Sequence, residues 1–200
     1  MDLSQKLLQL LTTPFAKNKC EWVADSERGE REENQDNYLL ITPEGEGICL
    51  QEQKENDISL SSWPSHSFRL ALADGMGGHK NGRQIAEDLI HKLQQLPPQS
   101  DPQQLREKIY DLHQELWLKY SQTSLKSPGT TLVMADIKNN GSTIIANIGD
   151  SRAYLWRANQ WQQLTYDQNL NEYDWRDNEL ETEDDYHPNH KSHQIAQAMG

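Results

Sequence analysis

A glycine-rich turn in the middle of the chain carries residue types suited to binding chemistry. In the segment Ala73-Asp74-Gly75-Met76-Gly77-Gly78-His79, an apolar run ends at an aspartate, and three of the next four residues are glycines. Glycines let backbone carbonyls approach whatever the carboxylate binds. A lone Asp-Gly pair usually marks a turn in which the aspartate caps a helix. Three glycines beside Asp74 favour a binding turn instead.

Two further segments place charged side chains near predicted strand ends. Arg31 stands five residues before Asp36, which lies just ahead of the apolar strand at 38–41, and Asp150 lies at the tip of a turn between two strands. A guanidinium suits phosphate oxygens, and a carboxylate suits a hard divalent cation. Taken alone, the first segment also reads as an exposed charged loop and the second as an ordinary hairpin.

Strands and helices must position these residues. Hydrophobic periodicity predicts two helices, Arg83–Leu96 and Pro102–Ser124, the first stopped by Pro97-Pro98. Alternation and turn residues predict a series of strands, at 22–24, 38–41, 68–73, 131–137, 142–148, 152–156 and 161–164, with a solvated loop at 51–57. The last four strands form two hairpins, the second around Ala158-Asn159. Strands, then a helix pair, then strands indicate an α+β fold.

In this order, the three segments resemble the metal-dependent type 2C serine/threonine protein phosphatases, in their bacterial branch. The likeness includes Gly129-Thr130-Thr131 and the stretch Leu164-Thr165-Tyr166-Asp167, and it runs from about residue 24 to residue 200. The resemblance implies two antiparallel β-sheets packed as a sandwich and flanked by an antiparallel helix pair. We expect residues 1–16 to form an amphipathic N-terminal extension and residues 17–200 the phosphatase-like domain.

The resemblance also implies roles for particular residues. Asp36 and Asp74 match metal ligands, with Asp74 bridging two Mg²⁺ or Mn²⁺ ions and the Gly75 carbonyl completing a shell. Asp150 matches a third, weaker metal site or an outer position. Arg31 matches the phosphate-binding arginine. A water activated by the cations would hydrolyse phosphoserine or phosphothreonine in a phosphorylated protein substrate.

The sequence departs from the family pattern after Asp150. The family continues with an Asp-Gly strand end and an Asp-Asn pair that complete the metal site, whereas Asp177-Asn178 and Asp184-Asp185 come too early for that role. Gln168-Asn169 replace the family's His-Ser. We therefore expect the domain to be C-terminally incomplete. The alternative to an enzyme is an inactive truncated homologue that serves as a regulatory or phosphoprotein-binding module.

Three histidines near the end of the sequence offer a competing metal site. His187, His190 and His193 are spaced by three and could bind zinc, but they lie in a polar stretch without a thiolate, so we leave them out of the site. His79 is interpreted as a structural turn residue. There is no Gly-x-Ser-x-Gly elbow for a serine hydrolase.

Composition narrows the partners and the compartment. The 200 residues carry 31 acidic and 19 basic side chains, a net charge of −12, which argues against nucleic acid or an anionic membrane as a partner. Only Cys20 and Cys49 occur, which favours a reducing cytoplasm over a disulfide-rich secreted domain. The sequence carries no signal for an oligomeric state.

Overall fold

The computed structural model describes residues 21–76, 80–121, 128–168 and 198–199. The predicted N-terminal extension, the turn residues 77–79 and the acidic stretch with its three histidines lie outside the described residues.

The strands make two antiparallel sheets within the described ranges. The strands of the large sheet are β1 (Asp36–Ile41), β2 (Glu46–Gln51), β3 (Lys54–Ser59), β4 (Ser67–Met76), β5 (Gly129–Thr130), β6 (Leu132–Lys138) and β7 (Thr143–Ile148). They run in the order β3-β2-β1-β4-β6-β7, with β5 paired to β4. The small sheet is the predicted hairpin of β8 (Tyr154–Arg157) and β9 (Gln160–Gln163). β4 therefore lies between β1 and β6, at the centre of the large sheet.

Two helices follow β4, as the periodicity predicts. α1 (Lys80–Gln95) begins three residues earlier than expected, and α2 (Pro102–Tyr120) ends four residues earlier. Asp101 caps α2, because its side chain accepts a 3.0 Å hydrogen bond from the backbone N–H of Gln103. Pro102 occupies the first turn, where its missing N–H costs nothing.

The two helices are antiparallel. The Lys119 ammonium of α2 pairs with Asp88 of α1, and one turn further along α1 Lys92 pairs with Glu115. The residue numbers of the contacts rise along α1 while they fall along α2, so the two helices run in opposite directions. The predicted helix pair is confirmed.

One face of the large sheet packs against the helices. The buried stripe of α1 joins side chains of β1, β4 and β6 in one core, whose members include Leu39, Ala71, Ile85, Leu89, Leu93, Leu132 and Met134. Complete burial of a leucine such as Leu89 contributes about 1.5–3 kcal/mol to folding. The opposite face carries a smaller cluster, made of Tyr38, Leu40, Ile48, Leu50 and Phe68. The α+β class with antiparallel sheets and a helix pair is confirmed.

The predicted loop at 51–57 is wrong. Most of it belongs to a hairpin of β2 and β3, turned by Glu52 and Gln53 with φ values of 50° and 62°. These residue types rarely mark such a turn, and almost all of β3 is exposed, so neither turn residues nor alternation could reveal the hairpin.

The predicted strand at 22–24 is also wrong. The described chain has no strand there, and Trp22 and Val23 are more than a third exposed. Ala24 packs against the smaller apolar cluster. Three residues form too few ladder hydrogen bonds to hold an edge strand without more burial.

Within the described residues, the helices are too short or too polar to cross a bilayer.

Candidate functional site

The site begins with two aspartates that face each other across neighbouring strands. Asp36 opens β1 and Asp74 lies near the end of β4, and the antiparallel register makes them direct partners. Partners in such a pair hold their Cβ atoms about 5 Å apart. Both residues are partly buried. The structure therefore brings together the two carboxylates that the sequence singled out.

The electrostatics of Asp74 reflect this crowding. Its pKa is raised from 3.8 to about 6, first by burial and then by the charge and hydrogen bonding of Asp36. Asp150 raises the pKa further, whereas the positive charge of Arg31 lowers it. Asp36, Asp150 and Arg31 thus all lie within electrostatic reach of Asp74, and the negative charges around it exceed the positive one.

The raised pKa predicts a pH-dependent cost in the metal-free protein. The folded state holds the Asp74 proton more tightly than the unfolded chain, so this group's contribution to stability is lost as pH rises from about 4 through about 6. Allowing for solvent screening, we expect Asp74→Asn to raise the free energy of unfolding by about 1–2 kcal/mol at pH 7.5. Melting temperatures of both proteins at pH 7.5 and pH 4.5 check this. An equal difference at the two pH values would contradict it.

Gly75 allows α1 to approach the end of β4. A Cβ on Gly75 would stand 2.1 Å from the carbonyl oxygen of Gly82, in the first turn of the helix. The Gly75 N–H donates to the carbonyl of Gln35, which precedes Asp36, at 3.1 Å. The glycine therefore lets strand, helix and the Asp36 loop meet at one point.

Thr130 and Thr131 hold the backbone of Asp74. The Thr131 N–H and the Thr130 hydroxyl donate to the Asp74 carbonyl, at 2.9 Å and 3.0 Å. The Asp74 N–H donates to the Thr131 hydroxyl at 3.0 Å, and that hydroxyl lies 2.8 Å from Ser151 Oγ. Thr131 is fully buried. It links Asp74 to the turn of Asp150, a role that sequence reasoning missed although Gly129-Thr130-Thr131 entered the resemblance.

The Asp150 turn is fixed from a distant part of the chain. Gly149 has a φ of +97°, which side chains rarely adopt, and a Cβ there would stand 2.7 Å from Thr131. The backbone N–H of Gly149 donates to the side-chain oxygen of Gln168 at 2.9 Å. The backbone N–H of Gln168 donates in turn to the Gly149 carbonyl, also at 2.9 Å. Gln168, which departs from the family's histidine, therefore braces the turn.

Arg31 is exposed, and its charge reaches Asp74. Its N–H closes a turn onto the Arg28 carbonyl at 3.3 Å. Among the described residues, no group of three or more His, Cys, Asp or Glu side chains is gathered tightly enough to hold a metal ion. Asp36 and Asp74 are a close pair, and Asp150 acts at longer range.

Comparison with solved structures identifies this architecture. The chain matches a crystal structure of a bacterial serine phosphatase with a TM-score of 0.59 and 27% identity, over 88% of this chain and 66% of that one. The S. agalactiae serine/threonine phosphatase shares the fold, with a TM-score of 0.63 and 23% identity, over 88% of this chain and 65% of that one. The fold is that of the bacterial serine/threonine phosphatases.

Sequence comparison gives the family. The family model described as Protein phosphatase 2C matches residues 35–174, and the chain belongs to that family. The serine/threonine phosphatase Stp of Listeria welshimeri is 35% identical over 122 residues, which are 56% of this chain and 48% of the relative. Stp of Listeria monocytogenes gives the same identity and coverage. The chain spans about half the length of these relatives.

Proposed function

We propose that this protein hydrolyses phosphoserine and phosphothreonine in proteins, with divalent cations held at Asp36 and Asp74. The supporting observation is that Asp36 and Asp74 are direct partners where β1 begins and β4 ends. Burial and the charge of Asp36 raise the pKa of Asp74 there. The similarity to named serine/threonine phosphatases supports the same reaction.

The residues present fit a hard cation such as Mg²⁺ or Mn²⁺. Such ions take oxygen ligands, and two anionic carboxylates at close range lose mutual repulsion when a cation binds between them. We assign Asp36 and Asp74 as ligands, the Gly75 carbonyl as a neutral one, and Asp150 to a third, weaker site or an outer position. When bound, two cations lower the pKa of a coordinated water and neutralise charge on the phosphoryl group.

The chain's own residues would orient the substrate. Asp74 is mostly ionised at neutral pH because its pKa is about 6. Arg31 is exposed and its charge reaches Asp74, so its forked donors can hold the oxygens of a phosphate presented by another protein. The proposal implies a phosphorylated protein partner, and the low cysteine content supports a cytoplasmic location.

A second candidate is a phosphoprotein-binding module without turnover. It is favoured by the small number of carboxylates that the described residues gather, since fewer anionic oxygens mean weaker cation binding. Arg31 would then bind the phosphate while hydrolysis stays slow.

A phosphate-release assay with a phosphothreonine peptide separates the candidates. For the enzyme, we expect chelator to stop phosphate release and Mn²⁺ to restore it, with weak turnover by the 200-residue chain. Arg31→Ala should lower turnover roughly a hundredfold, as for loss of a positioned donor. Arg28→Ala is the matched control, because Arg28 is an exposed arginine on the same loop, and in the described part of the chain its side chain donates to the Glu32 carbonyl.

Three outcomes decide the assay. Peptide binding that depends on Arg31, without phosphate release, would favour the binding module. Hydrolysis that persists without metal would contradict the proposed mechanism. Equal losses in Arg31→Ala and Arg28→Ala would remove Arg31 from the phosphate site.

A further inference from the structure

Arg83 connects α1 to the loop that carries Arg31 and Asp36. Its Nε donates to Glu33 Oε1 at 2.9 Å, and its Nη1 donates to Glu87 Oε1 at 2.7 Å. The arginine, Glu33 and Glu87 side chains are 20%, 31% and 18% exposed, so the ion pairs are partly shielded from water. One guanidinium thus joins the loop to a helix whose other face is in the core.

The far end of this contact is also anchored. Glu87 Oε1 accepts a second hydrogen bond, at 2.9 Å, from the backbone N–H of Glu52 in the turn between β2 and β3. We call Glu33, Arg83, Glu87 and the Glu52 N–H the Glu33 clamp. Because Glu87 is held on two sides, Arg83 presents a fixed donor to Glu33 rather than a mobile one.

The loop needs such an anchor near Arg31. Glu33 lies two residues after Arg31 and three before Asp36, so it sits within about 10 Å of either along the backbone. The loop's other contacts are local or lie where it joins β1. The Arg31 N–H donates to the Arg28 carbonyl, Asn34 bonds to Ser26 and to the Asp36 N–H, and the Gln35 carbonyl accepts from the Gly75 N–H. Residues 30–32 are exposed. Glu33 therefore joins the exposed part of the loop to a rigid element.

We propose that Arg83 is a positioning residue, which acts through Glu33 to fix the spacing of Arg31 and Asp36. This inference rests on the proposed function, since it gives the spacing a purpose in holding cation and phosphate. Arg83 itself touches neither of them. Partly exposed ion pairs add little to global stability, so the effect falls on the order of the loop.

Hydrogen exchange of the full chain tests whether the clamp fixes the loop. Arg83→Met keeps the apolar stem but removes the charge, and we expect exchange in residues 29–36 to quicken several-fold with almost no change in melting temperature. Glu33→Ala should do the same, and the double variant should be no worse than either single one, because the two residues act in one contact. Lys108→Met is the matched control, since Lys108 makes an exposed i,i+3 pair with Asp111 on α2.

Mn²⁺ titration tests what the clamp is for. Arg83→Met should weaken Mn²⁺ binding about tenfold, the lower end of the effect of groups that orient metal ligands. Arg83→Lys restores a positive charge between the two glutamates and should recover most of the affinity. A purely structural role would leave the affinity unchanged.

The outcomes separate this inference from the proposed function. If hydrogen exchange in residues 29–36 of Arg83→Met is the same as in the wild type, the positioning role is overturned, whatever the Mn²⁺ affinity. A loosened loop with unchanged Mn²⁺ affinity overturns it as well. If the wild-type chain binds no Mn²⁺, the proposed function fails, and a loosened loop in Arg83→Met still supports Arg83 as the residue that fixes it.

Discussion

Asp74→Asn should lose Mn²⁺ binding, with an affinity at least about a hundredfold weaker than that of the wild-type chain. Asp74 is partly buried opposite Asp36, and Asp150 lies within electrostatic reach, so its carboxylate is the shared centre of the acidic cluster. An amide of the same shape removes the charge but keeps the backbone contacts. The loss should exceed the 10–100-fold effect of groups that only orient ligands. Calorimetric titration at pH 7.5 measures it.

A matched substitution guards against general effects of charge. Asp57 lies on the exposed strand β3 at the far edge of the sheet, so Asp57→Asn should bind Mn²⁺ like the wild type. The expected rise in melting temperature of Asp74→Asn would show that its fold is intact. Unchanged Mn²⁺ binding by Asp74→Asn would exclude Asp74 as a ligand and place the cation elsewhere.

Local hydrophobic and turn patterns in the sequence predicted the strand and helix that position the site. The apolar run before Asp74 and the periodicity of α1 are both strong signals, because each buries one continuous face. The turn at Ala158 and Asn159 was predictable too, and both residues have positive φ values. In contrast, β3 exposes nearly all of its side chains, so its sequence carries no hydrophobic alternation to detect.

The geometry of the site depends on contacts that no local pattern encodes. The sequence placed Asp36 and Asp74 at strand ends, but their pairing depends on the register of β1 against β4. Thr131 meets Ser151 across 20 residues, and Arg83 meets Glu33 across 50. Such partners are set by the packing of sheet and helix, so sequence reasoning missed the residues that hold the site. It singled out Asp36 and Asp74, which the structure brings together, and their roles stay predictions.

The clearest case of such a long-range partner is a buried ion pair near the start of β4, at the other end of that strand from Asp74. Arg69 of β4 is fully buried and forms a bidentate pair with Asp136 of β6, with both N–O distances 2.6 Å. The register makes the two residues direct partners. The remaining guanidinium nitrogen donates to the carbonyls of Leu93 and Leu96 at the end of α1. Arg69 therefore joins the central strand to its neighbour and to the helix above.

Arg69→Met should destabilise the fold by about 3–5 kcal/mol, because it leaves the Asp136 charge buried without a partner. It also leaves two helix-end carbonyls without their donor, and an unsatisfied buried group costs about 1–3 kcal/mol. Urea unfolding measures the loss. The double variant Arg69→Met/Asp136→Leu should be more stable than Arg69→Met, since no buried charge remains, yet less stable than the wild type, since the carbonyls stay unpaired. A cost below about 1 kcal/mol for Arg69→Met would mean that Asp136 reaches water, and the pair would then not hold β4 in place.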